Sequence, residues 1–292
     1  MGKTQIENQN FIAQINSFGA EPSRLFDKRS SREVLWDGQE KYWARHAPVL
    51  FPTVGKLKEG HFLHQGKKYE LGQHGFARDM EWQLITAAAD RCTYRLSSDD
   101  RTLYKYPFSF TLSLEATLTS EGLNLHYEVE NHSTEVMYYA LGTHPAFHLP
   151  WIKDTEIKDY QIKFEQQETA DLLLLNKSGL RSGERQAFLK NESTISLSEE
   201  HFENDALVFD DLRSSSLKVV HEKSQEGFEV KWENFPHLGI WKPLGAPFLC
   251  IEPWQGMADD IQSKNELKEK FGCLALSPDE KMQHSYGIFP II

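Results

Sequence analysis

The fold of this chain is decided by residues 109–130, which read SFTLSLEATLTSEGLNLHYEVE. Apolar and polar side chains alternate from Phe110 to Leu118 and again from Leu123 to Val129, on either side of a short segment that contains a glycine. This alternation is typical of strands with one buried and one wet face. The stretch therefore predicts an antiparallel hairpin in a sheet that covers a core.

The same strand signal recurs along most of the chain. A third clear alternation runs from Phe228 to Trp232, and Gln65-Gly66 is the predicted turn of a further hairpin. The shorter strand candidates lie at 33–37, 60–64, 68–72, 80–88, 91–97, 135–141, 160–164, 206–210, 216–221, 238–241, 247–252 and 286–291. Helical signals are confined to 198–202 and 264–271.

No linker and no fixed-period repeat divides the chain. We therefore predict an all-β, mainly antiparallel fold with few short helices, a single large β-sandwich domain over residues 1–292. The length of 292 residues allows one core of this size.

The composition of the chain disfavours some classes of binding partner. The net charge of −11 arises from 32 basic and 43 acidic side chains, which disfavours nucleic acids and anionic membranes. No apolar run approaches the length of a membrane span, and the first residues lack the apolar core of a signal peptide. Three widely spaced cysteines indicate reduced thiols. We expect a cytoplasmic protein with no nucleic-acid or membrane partner.

Three short segments far apart in the chain each place a proton-exchanging side chain among glycine, proline and aromatic residues. Their titratable members are His74, His144 and Glu252. Two imidazoles and a carboxylate can move a proton on and off adjacent oxygens. The segments are HGFAR at 74–78, GTHPAF at 142–147 and CIEPW at 250–254.

Each of these residues also has a structural interpretation. A lone histidine in a bend, such as His74, is commonly structural or solvent-facing. His144 ends an apolar run and precedes Pro145, which predicts an extended backbone and the end of ladder pairing. Glu252 continues a strand that is apolar on both faces, so it needs a partner such as an arginine or a raised pKa. A raised pKa would suit a general base that works near neutrality.

The sequence lacks the motifs that would indicate other classes of functional site. The nucleotide, dinucleotide and serine-hydrolase motifs are absent. The pairs His61/His64 and His144/His148 are spaced like metal ligands, but HExxH is absent and Pro145 disrupts the helical spacing of the second pair. We therefore predict no metal and no cofactor.

Together the segments make the chain resemble the aldose 1-epimerase (galactose mutarotase) family, in particular its LacX-like branch. The resemblance runs from about residue 10 to the carboxyl end and includes APVLFP at 47–52 and LSP at 276–278. It implies a large antiparallel β-supersandwich, an isomerase activity that interconverts the α and β anomers of an aldose, and no cofactor. The implied partner is a small-molecule aldose, and the expected assembly is a monomer or a homodimer.

The resemblance also implies roles for particular residues. Glu252 falls on the general base, His144 on the general acid and His74 on a histidine that binds and polarises sugar oxygens. Asp205 matches an aspartate that holds sugar hydroxyls. Lys56 stands where the family has an arginine. A lysine ammonium is a point donor, whereas an arginine guanidinium can donate two parallel hydrogen bonds to one ligand group.

The cations and aromatic residues of the chain leave the choice of sugar and of reaction open. Arg45, Lys56 and Arg78 could form a basic pocket for a phosphate, which would suit a mutarotase of sugar 6-phosphates, or they could simply be solvated. Trp232, Trp241 and Trp254 each offer a face on which a sugar could stack, and each could instead belong to the core. A non-catalytic sugar-binding protein and a glycosidase that uses Glu252 and Asp205 are also compatible with the sequence.

Overall fold

The computed structural model describes residues 2–292. Its strands, in chain order, are β1 (Lys3–Glu7), β2 (Phe11–Asn16), β3 (Pro22–Asp27), β4 (Arg32–Glu33), β5 (Val49–Leu50), β6 (His61–His64), β7 (Lys67–Glu70), β8 (Gln83–Ala87), β9 (Arg91–Ser97), β10 (Phe110–Leu118), β11 (Leu123–Asn131) and β12 (Met137–Tyr139). The later strands are β13 (Leu141–Thr143), β14 (Ala146–His148), β15 (Tyr160–Leu175), β16 (Arg181–Ser196), β17 (Leu207–Phe209), β18 (Ser216–His221), β19 (Gly227–Glu233), β20 (His237–Trp241), β21 (Phe248–Gln255), β22 (Leu274–Leu276) and β23 (Lys281–Ile291).

Helical structure in residues 2–292 is sparse and short. The α-helix α1 spans Asp100–Lys105. The 3₁₀ turns lie at Lys58–Gly60, Ala77–Asp79, Ile157–Asp159, Glu199–Phe202 and Leu267–Glu269. None of these helices is long and apolar enough to span a membrane.

Two large sheets build the fold. The nine-stranded sheet has the order β16-β15-β18-β19-β23-β11-β10-β9-β8, and the six-stranded sheet is β17-β20-β21-β13-β5 with β14 also paired to β21. Their ladders are antiparallel. A four-stranded sheet, β1-β2-β3-β4, contacts the nine-stranded sheet through β1 and β9.

The two large sheets pack face to face. The rings of Phe147 on β14 and Phe228 on β19 stack with centroids 4.2 Å apart. Phe164 on β15 and Phe209 on β17 meet edge to face at 6.2 Å. Aromatic contacts of this kind close a dry interior between the sheets. The predicted all-β antiparallel sandwich is confirmed.

Side-chain alternation along the six-stranded sheet separates the core from the opposite face. On β21, Leu249 and Ile251 belong to the large core cluster. Cys250, Glu252 and Trp254 point to the other side because successive strand residues alternate in direction. That other side is also buried, so β21 is enclosed on both faces as the sequence predicts.

The hairpins with the clearest sequence signals are present as predicted. β10 and β11 pair from Phe110 opposite Asn131 to Leu118 opposite Leu123. The hairpin of β6 and β7 turns at Gln65-Gly66, both with positive φ. Registers of this kind are fixed locally by alternation and turn residues, which explains their recovery from sequence.

Other elements differ from the predictions. The segment 135–141 is divided between β12 and β13, which lie in different sheets, and Ala140 between them donates its N–H to the Pro52 carbonyl. The predicted strand at 33–37 is reduced to β4 and a bridge between Leu35 and Phe147. The predicted helices at 198–202 and 264–271 are single 3₁₀ turns.

Several elements carry too weak a sequence signal to be predicted. In β2 the less buried side includes Ile12 and the buried side includes Ala13, which blurs the alternation. Helix α1 is fixed by its cap: the Asp99 carboxylate accepts the Thr102 N–H at 2.9 Å, and the Thr102 hydroxyl oxygen accepts the Asp99 N–H at 2.8 Å.

The hairpin of β15 and β16 reaches far beyond the predicted strand at 160–164. β15 pairs with β18 only from Tyr160 to Phe164, after which it pairs with β16 alone. Register shifts interrupt that ladder at several points. Because bulges break the period of two, the sequence pattern does not reveal β16. The turn of this hairpin reaches a cavity on the six-stranded sheet.

Candidate active site

A cavity of about 410 Å³ lies on the face of the six-stranded sheet that is turned away from the nine-stranded sheet. β17, β20 and β21 form its floor, and loops and the turn between β15 and β16 form its walls. The lining residues are Trp43, Gly55, Lys56, Gln73, His74, Arg78, His144, Leu175, Lys177, Gly179, Arg181, Asp205, Ala206, Val208, Trp241, Glu252, Trp254, Met257 and Ala258.

The sheet register places His144 opposite Glu252. β13 pairs with the end of β21 and β14 with its beginning, so both short strands lie along one partner. His144 and Pro145 form the irregular step between them, as the proline predicts, and the Pro145 carbonyl accepts the Ile251 N–H at 3.2 Å. The step turns the imidazole toward the carboxylate in the middle of β21.

His144 and Glu252 form a direct buried contact. Nε2 of His144 lies 3.2 Å from Oε2 of Glu252. The two residues are only 9% and 1% exposed. Burial raises the pKa of Glu252 well above its usual value, and Asp205 raises it further. Burial lowers the pKa of His144 to about 3. Both shifts favour a pair that carries no net charge and holds one proton between the two groups.

Two tryptophans enclose the imidazole of His144. The Trp43 ring stacks on it at 4.8 Å with an interplanar angle of 27°, and Trp241 meets it edge-on at 5.6 Å. An aromatic face favours a neighbouring cation, so the Trp43 contact supports transient protonation of the imidazole. Neither tryptophan is among the predicted site residues.

His74 is held as a hydrogen-bond donor. Its backbone has a φ of 66°, its N–H donates to the Gly55 carbonyl at 2.9 Å, and its Nδ1 accepts the Gly55 N–H at 3.1 Å. Burial, followed by the charge at His144, lowers the pKa of His74 well below its usual value. A neutral ring that accepts at Nδ1 must carry its proton on Nε2. That Nε2 lies 3.0 Å from the Gln73 side-chain amide at the cavity wall.

Two glycines make room for Trp254 on the floor. A Cβ atom at Gly142 would lie 2.8 Å from Cδ1 of Trp254, and one at Gly239 would lie 2.4 Å from its Cη2. The indole therefore lies flat across both neighbouring strands. Its buried Nε1 makes no hydrogen bond of normal geometry within residues 2–292, but it lies close enough to the Glu252 carboxyl to oppose the rise in that group's pKa.

Gly239→Ala is expected to displace the Trp254 ring and to lower the free energy of unfolding by about 1–3 kcal/mol, the usual cost of overpacking. Urea denaturation measures this effect. Gly72→Ala is the matched control, because a Cβ there meets nothing within 4 Å. Equal stabilities of the two variants would contradict the packing role of Gly239.

The structure brings most of the predicted site residues together. His74, His144, Glu252, Asp205, Arg78, Lys56 and Trp254 all line the cavity. Arg45 does not line it: its Nη2 lies 2.6 Å from Oδ1 of Asp79, so this arginine is engaged in an ion pair outside the cavity. After burial, the charge of Arg45 is among the causes that lower the pKa values of His74 and His144, so it lies near the catalytic pair, and its role in binding stays a prediction.

Several lining residues are missed by the sequence analysis. They are Trp43, Gln73, Lys177 and Arg181, whereas Trp241 is one of the tryptophans for which the sequence leaves a stacking role open. Gln73 adjoins the HGFAR segment, and its position beside His74 is the one signal that could have identified it. Lys177 and Arg181 reach the cavity through the long hairpin that the sequence does not reveal.

One group of three residues within 2–292 has donor atoms close enough to hold a metal. The imidazole of His144, the thiol of Cys250 and the carboxylate of Glu252 lie within 4.8 Å of one another. Burial, followed by the charge at Glu252, raises the pKa of the Cys250 thiol well above its usual value. A shared proton explains the 3.2 Å contact between Nε2 and Oε2 without a metal, so we assign none.

The fold defines a class of large antiparallel β-sandwich proteins, here with a buried acid–base pair in a cavity on one sheet. A family model described as Aldose 1-epimerase matches residues 3–286. The chain belongs to the aldose 1-epimerase family, and its fold is the galactose mutarotase-like sandwich.

Individual relatives are similar to this chain over nearly all of its length. The plasmid-encoded Protein LacX of Lactococcus lactis subsp. lactis is 28% identical over 296 residues, which cover 97% of this chain and 98% of LacX. A galactose mutarotase related enzyme from Lactobacillus acidophilus is 30% identical with a TM-score of 0.94, over 100% of this chain and 98% of that one. A galactose mutarotase-like protein from Lactobacillus casei is 28% identical with a TM-score of 0.92, over 99% of both chains.

Proposed function

We propose that the protein is an aldose 1-epimerase that interconverts the α and β anomers of an aldose by opening and closing its ring. The observation that carries this proposal is the 3.2 Å contact between His144 and Glu252 at the floor of a cavity large enough for a sugar. Family membership supports the same class of reaction.

The reaction needs one proton removed and one added. In a cyclic aldose the anomeric hydroxyl and the ring oxygen are bonded to the same carbon, so they can contact two adjacent side chains at once. Glu252 as the carboxylate takes the hydroxyl proton while His144 as the imidazolium protonates the ring oxygen. The C1–O bond of the ring breaks, and an aldehyde and a new hydroxyl form. Rotation about C1–C2 and closure with the transfers reversed give the other anomer.

The number of protons that the His144–Glu252 pair holds is the same before and after ring opening. Before ring opening the pair is carboxylate and imidazolium, and afterwards it is carboxylic acid and neutral imidazole. Both forms hold one proton, so the net charge of the pair does not change. Burial favours carboxylic acid and neutral imidazole in the resting pair, so the proton first passes from Glu252 to His144 across their 3.2 Å contact, and ring opening then restores the neutral form. No carbon–hydrogen bond breaks.

Other lining groups would hold the sugar. His74 holds its Nε2–H at the cavity wall, where a sugar oxygen can replace the Gln73 side-chain amide as its partner, and the Trp254 N–H lies beside Glu252. Asp205 lies at the rim, where its carboxylate can accept hydroxyl hydrogen bonds and where it raises the pKa of Glu252. These contacts orient C1 over the catalytic pair.

His74→Asn is expected to lower kcat/KM about 5-fold, mainly through KM, because one hydrogen bond worth about 1 kcal/mol is lost. Asparagine tolerates the left-handed backbone at this position. Saturation kinetics of anomer interconversion measure the change. His132→Asn, an exposed histidine, is the matched control. A His74 variant with unaltered KM and kcat would remove His74 from the binding site.

The proposed function is tested by following α–β interconversion by polarimetry across glucose, galactose, their 6-phosphates and several pentoses. A rate above the spontaneous one supports a mutarotase. Saturable sugar binding with only the spontaneous rate would instead indicate a sugar-binding protein. Release of nitrophenol from nitrophenyl glycosides would indicate a glycosidase.

A further inference from the structure

We propose that the preferred substrate is an aldose with an anionic group, a phosphate or a carboxylate, on a carbon remote from C1, and that Lys56, Lys177 and Arg181 bind this group. The inference rests on the proposed function for the position of C1 and extends it to the substrate class. Both anions present several oxygen acceptors to cationic donors.

The three cations converge on one wall of the cavity. Lys177 and Arg181 flank the turn between β15 and β16, and both line the cavity. The Lys56 side chain packs against the backbone of the same turn: a Cβ at Gly179 would lie 3.3 Å from its Cδ and 3.6 Å from its Nζ. Residues from positions 56 and 177–181 thus form a single basic cluster.

None of these cations forms an ion pair, although Asp260, Asp259 and Asp210 lie near enough to Arg181 to oppose the lowering of its pKa by burial. Within residues 2–292, no carboxylate oxygen lies within 4.0 Å of a charged nitrogen of Lys56, Lys177 or Arg181. Other cations nearby are neutralised. Arg185, on the same strand as Arg181, pairs with Asp210 at 2.6 Å, and Arg45 pairs with Asp79.

Two contacts fix the orientation of the Arg181 guanidinium. Its Nε donates to the Ala258 carbonyl at 2.9 Å, and its guanidinium lies 4.6 Å from the centre of the Phe271 ring. These contacts fix the plane of the guanidinium and leave its two terminal nitrogens without an acceptor in the described chain. A planar fork held in this way matches the oxygens of a phosphate or carboxylate.

The charge balance of the cavity opposes that of the chain. The chain carries a net charge of −11, yet the cavity is lined by four cations, Lys56, Arg78, Lys177 and Arg181, against the two acids Asp205 and Glu252. A neutral sugar requires hydrogen-bond partners but no excess of positive charge. A local excess of this kind attracts an anionic ligand to an otherwise acidic protein.

The catalytic carboxylate and the basic cluster come from different parts of the fold. Glu252 projects from the sheet that forms the floor, and the basic cluster comes from segments outside that sheet. An aldose with C1 at the catalytic pair directs its far end away from the floor, toward the cluster. This set shares Lys56 with the predicted basic pocket of Arg45, Lys56 and Arg78, of which Arg45 alone is not a lining residue.

The test compares kcat/KM for anomer interconversion of glucose, glucose 6-phosphate and glucuronate, and of the three corresponding galactose compounds. We expect at least one anionic form to exceed its neutral parent by roughly 10- to 100-fold, the range of charge-assisted hydrogen bonds. Comparison of kcat/KM for the 6-phosphates and the uronates shows whether the protein prefers a phosphate or a carboxylate. Equal values for neutral and anionic sugars would overturn the inference and leave the mutarotase proposal intact.

The double variant Lys56→Gln/Lys177→Gln is expected to reduce the ratio of anionic to neutral kcat/KM by roughly 10-fold or more. Lys67→Gln/Lys153→Gln makes the same charge change at exposed positions outside the cavity and should keep the wild-type ratio. An unchanged ratio in the Lys56/Lys177 variant would overturn the assignment of the cluster.

Calorimetric titration of the wild-type protein with glucose 6-phosphate and glucose separates the two proposals. Tighter binding of the phosphate supports the basic site even if no sugar is turned over, an outcome that would overturn the mutarotase function alone. Equal affinity for both ligands would overturn the basic site.

Discussion

Glu252→Gln is expected to reduce catalysed anomer interconversion by about 10²–10⁴-fold, the usual contribution of a positioned acid–base group. Glutamine has nearly the shape of the carboxylic acid and can hydrogen-bond to His144, but it cannot accept the hydroxyl proton. The loss should appear in kcat, because sugar binding depends mainly on other residues. Polarimetry at saturating aldose measures the effect.

The same variant should remain folded. The folded pKa of Glu252 is raised above its unfolded value, so the native state binds the proton more tightly. This contribution is fully present below the unfolded pKa and is lost as pH rises toward the folded pKa. At pH 7 the wild type has lost part of it, whereas glutamine does not titrate. The free energy of unfolding of Glu252→Gln at pH 7 should therefore equal or exceed that of the wild type.

Glu233→Gln is the matched control, because Glu233 is an exposed strand residue that does not line the cavity. Its activity should match the wild type. Wild-type-like activity in Glu252→Gln would exclude Glu252 as the base. An inactive Glu252→Gln that is also unfolded at pH 7 would contradict the expected stability.

His144→Gln is expected to lower kcat by a similar factor, about 10²–10⁴-fold, because an amide cannot deliver a proton to the ring oxygen. The side chain can still contact Oε2 of Glu252, so the buried carboxyl keeps a polar neighbour. Polarimetry on the purified variant measures the loss. Combining both changes should cost little more than either alone, because the two groups act as one unit.

His148→Gln is a control for His144→Gln in the same region of the fold. His148 is a partly buried histidine at the end of β14 that does not line the cavity. Its kcat should stay close to that of the wild type. Additive losses in the double variant of Glu252 and His144 would show that the two groups do not share a proton-transfer step.

The acid–base residues could be predicted from the sequence because each lies in a short segment with strong local constraints. Pro145 predicts the break in pairing that turns His144 toward β21, and the apolar run before Glu252 predicts its burial. The roles of these residues came from resemblance to the family. The 3.2 Å contact itself depends on the register of β13 and β14 along β21, which no local pattern specifies.

The walls of the cavity could not be predicted in the same way. Lys177 and Arg181 reach the site because a hairpin with register shifts extends beyond its sheet, and bulges leave no period in the sequence. Trp43 lies in a loop whose position depends on contacts with His144 and Phe248. The ion pair of Arg45 with Asp79 is likewise set by tertiary packing, and no local pattern in the sequence predicts it.

The most direct test of the central claim is NMR exchange spectroscopy of an aldose and its 6-phosphate in D₂O, with wild-type protein and with Glu252→Gln. We predict that the wild type transfers magnetisation between the α and β anomers faster than the spontaneous reaction, with full retention of the protons on C1 and C2. The Glu252→Gln spectra should show only the spontaneous rate. Wild-type exchange no faster than the spontaneous rate, or deuterium entering C2, would contradict ring opening by the His144–Glu252 pair.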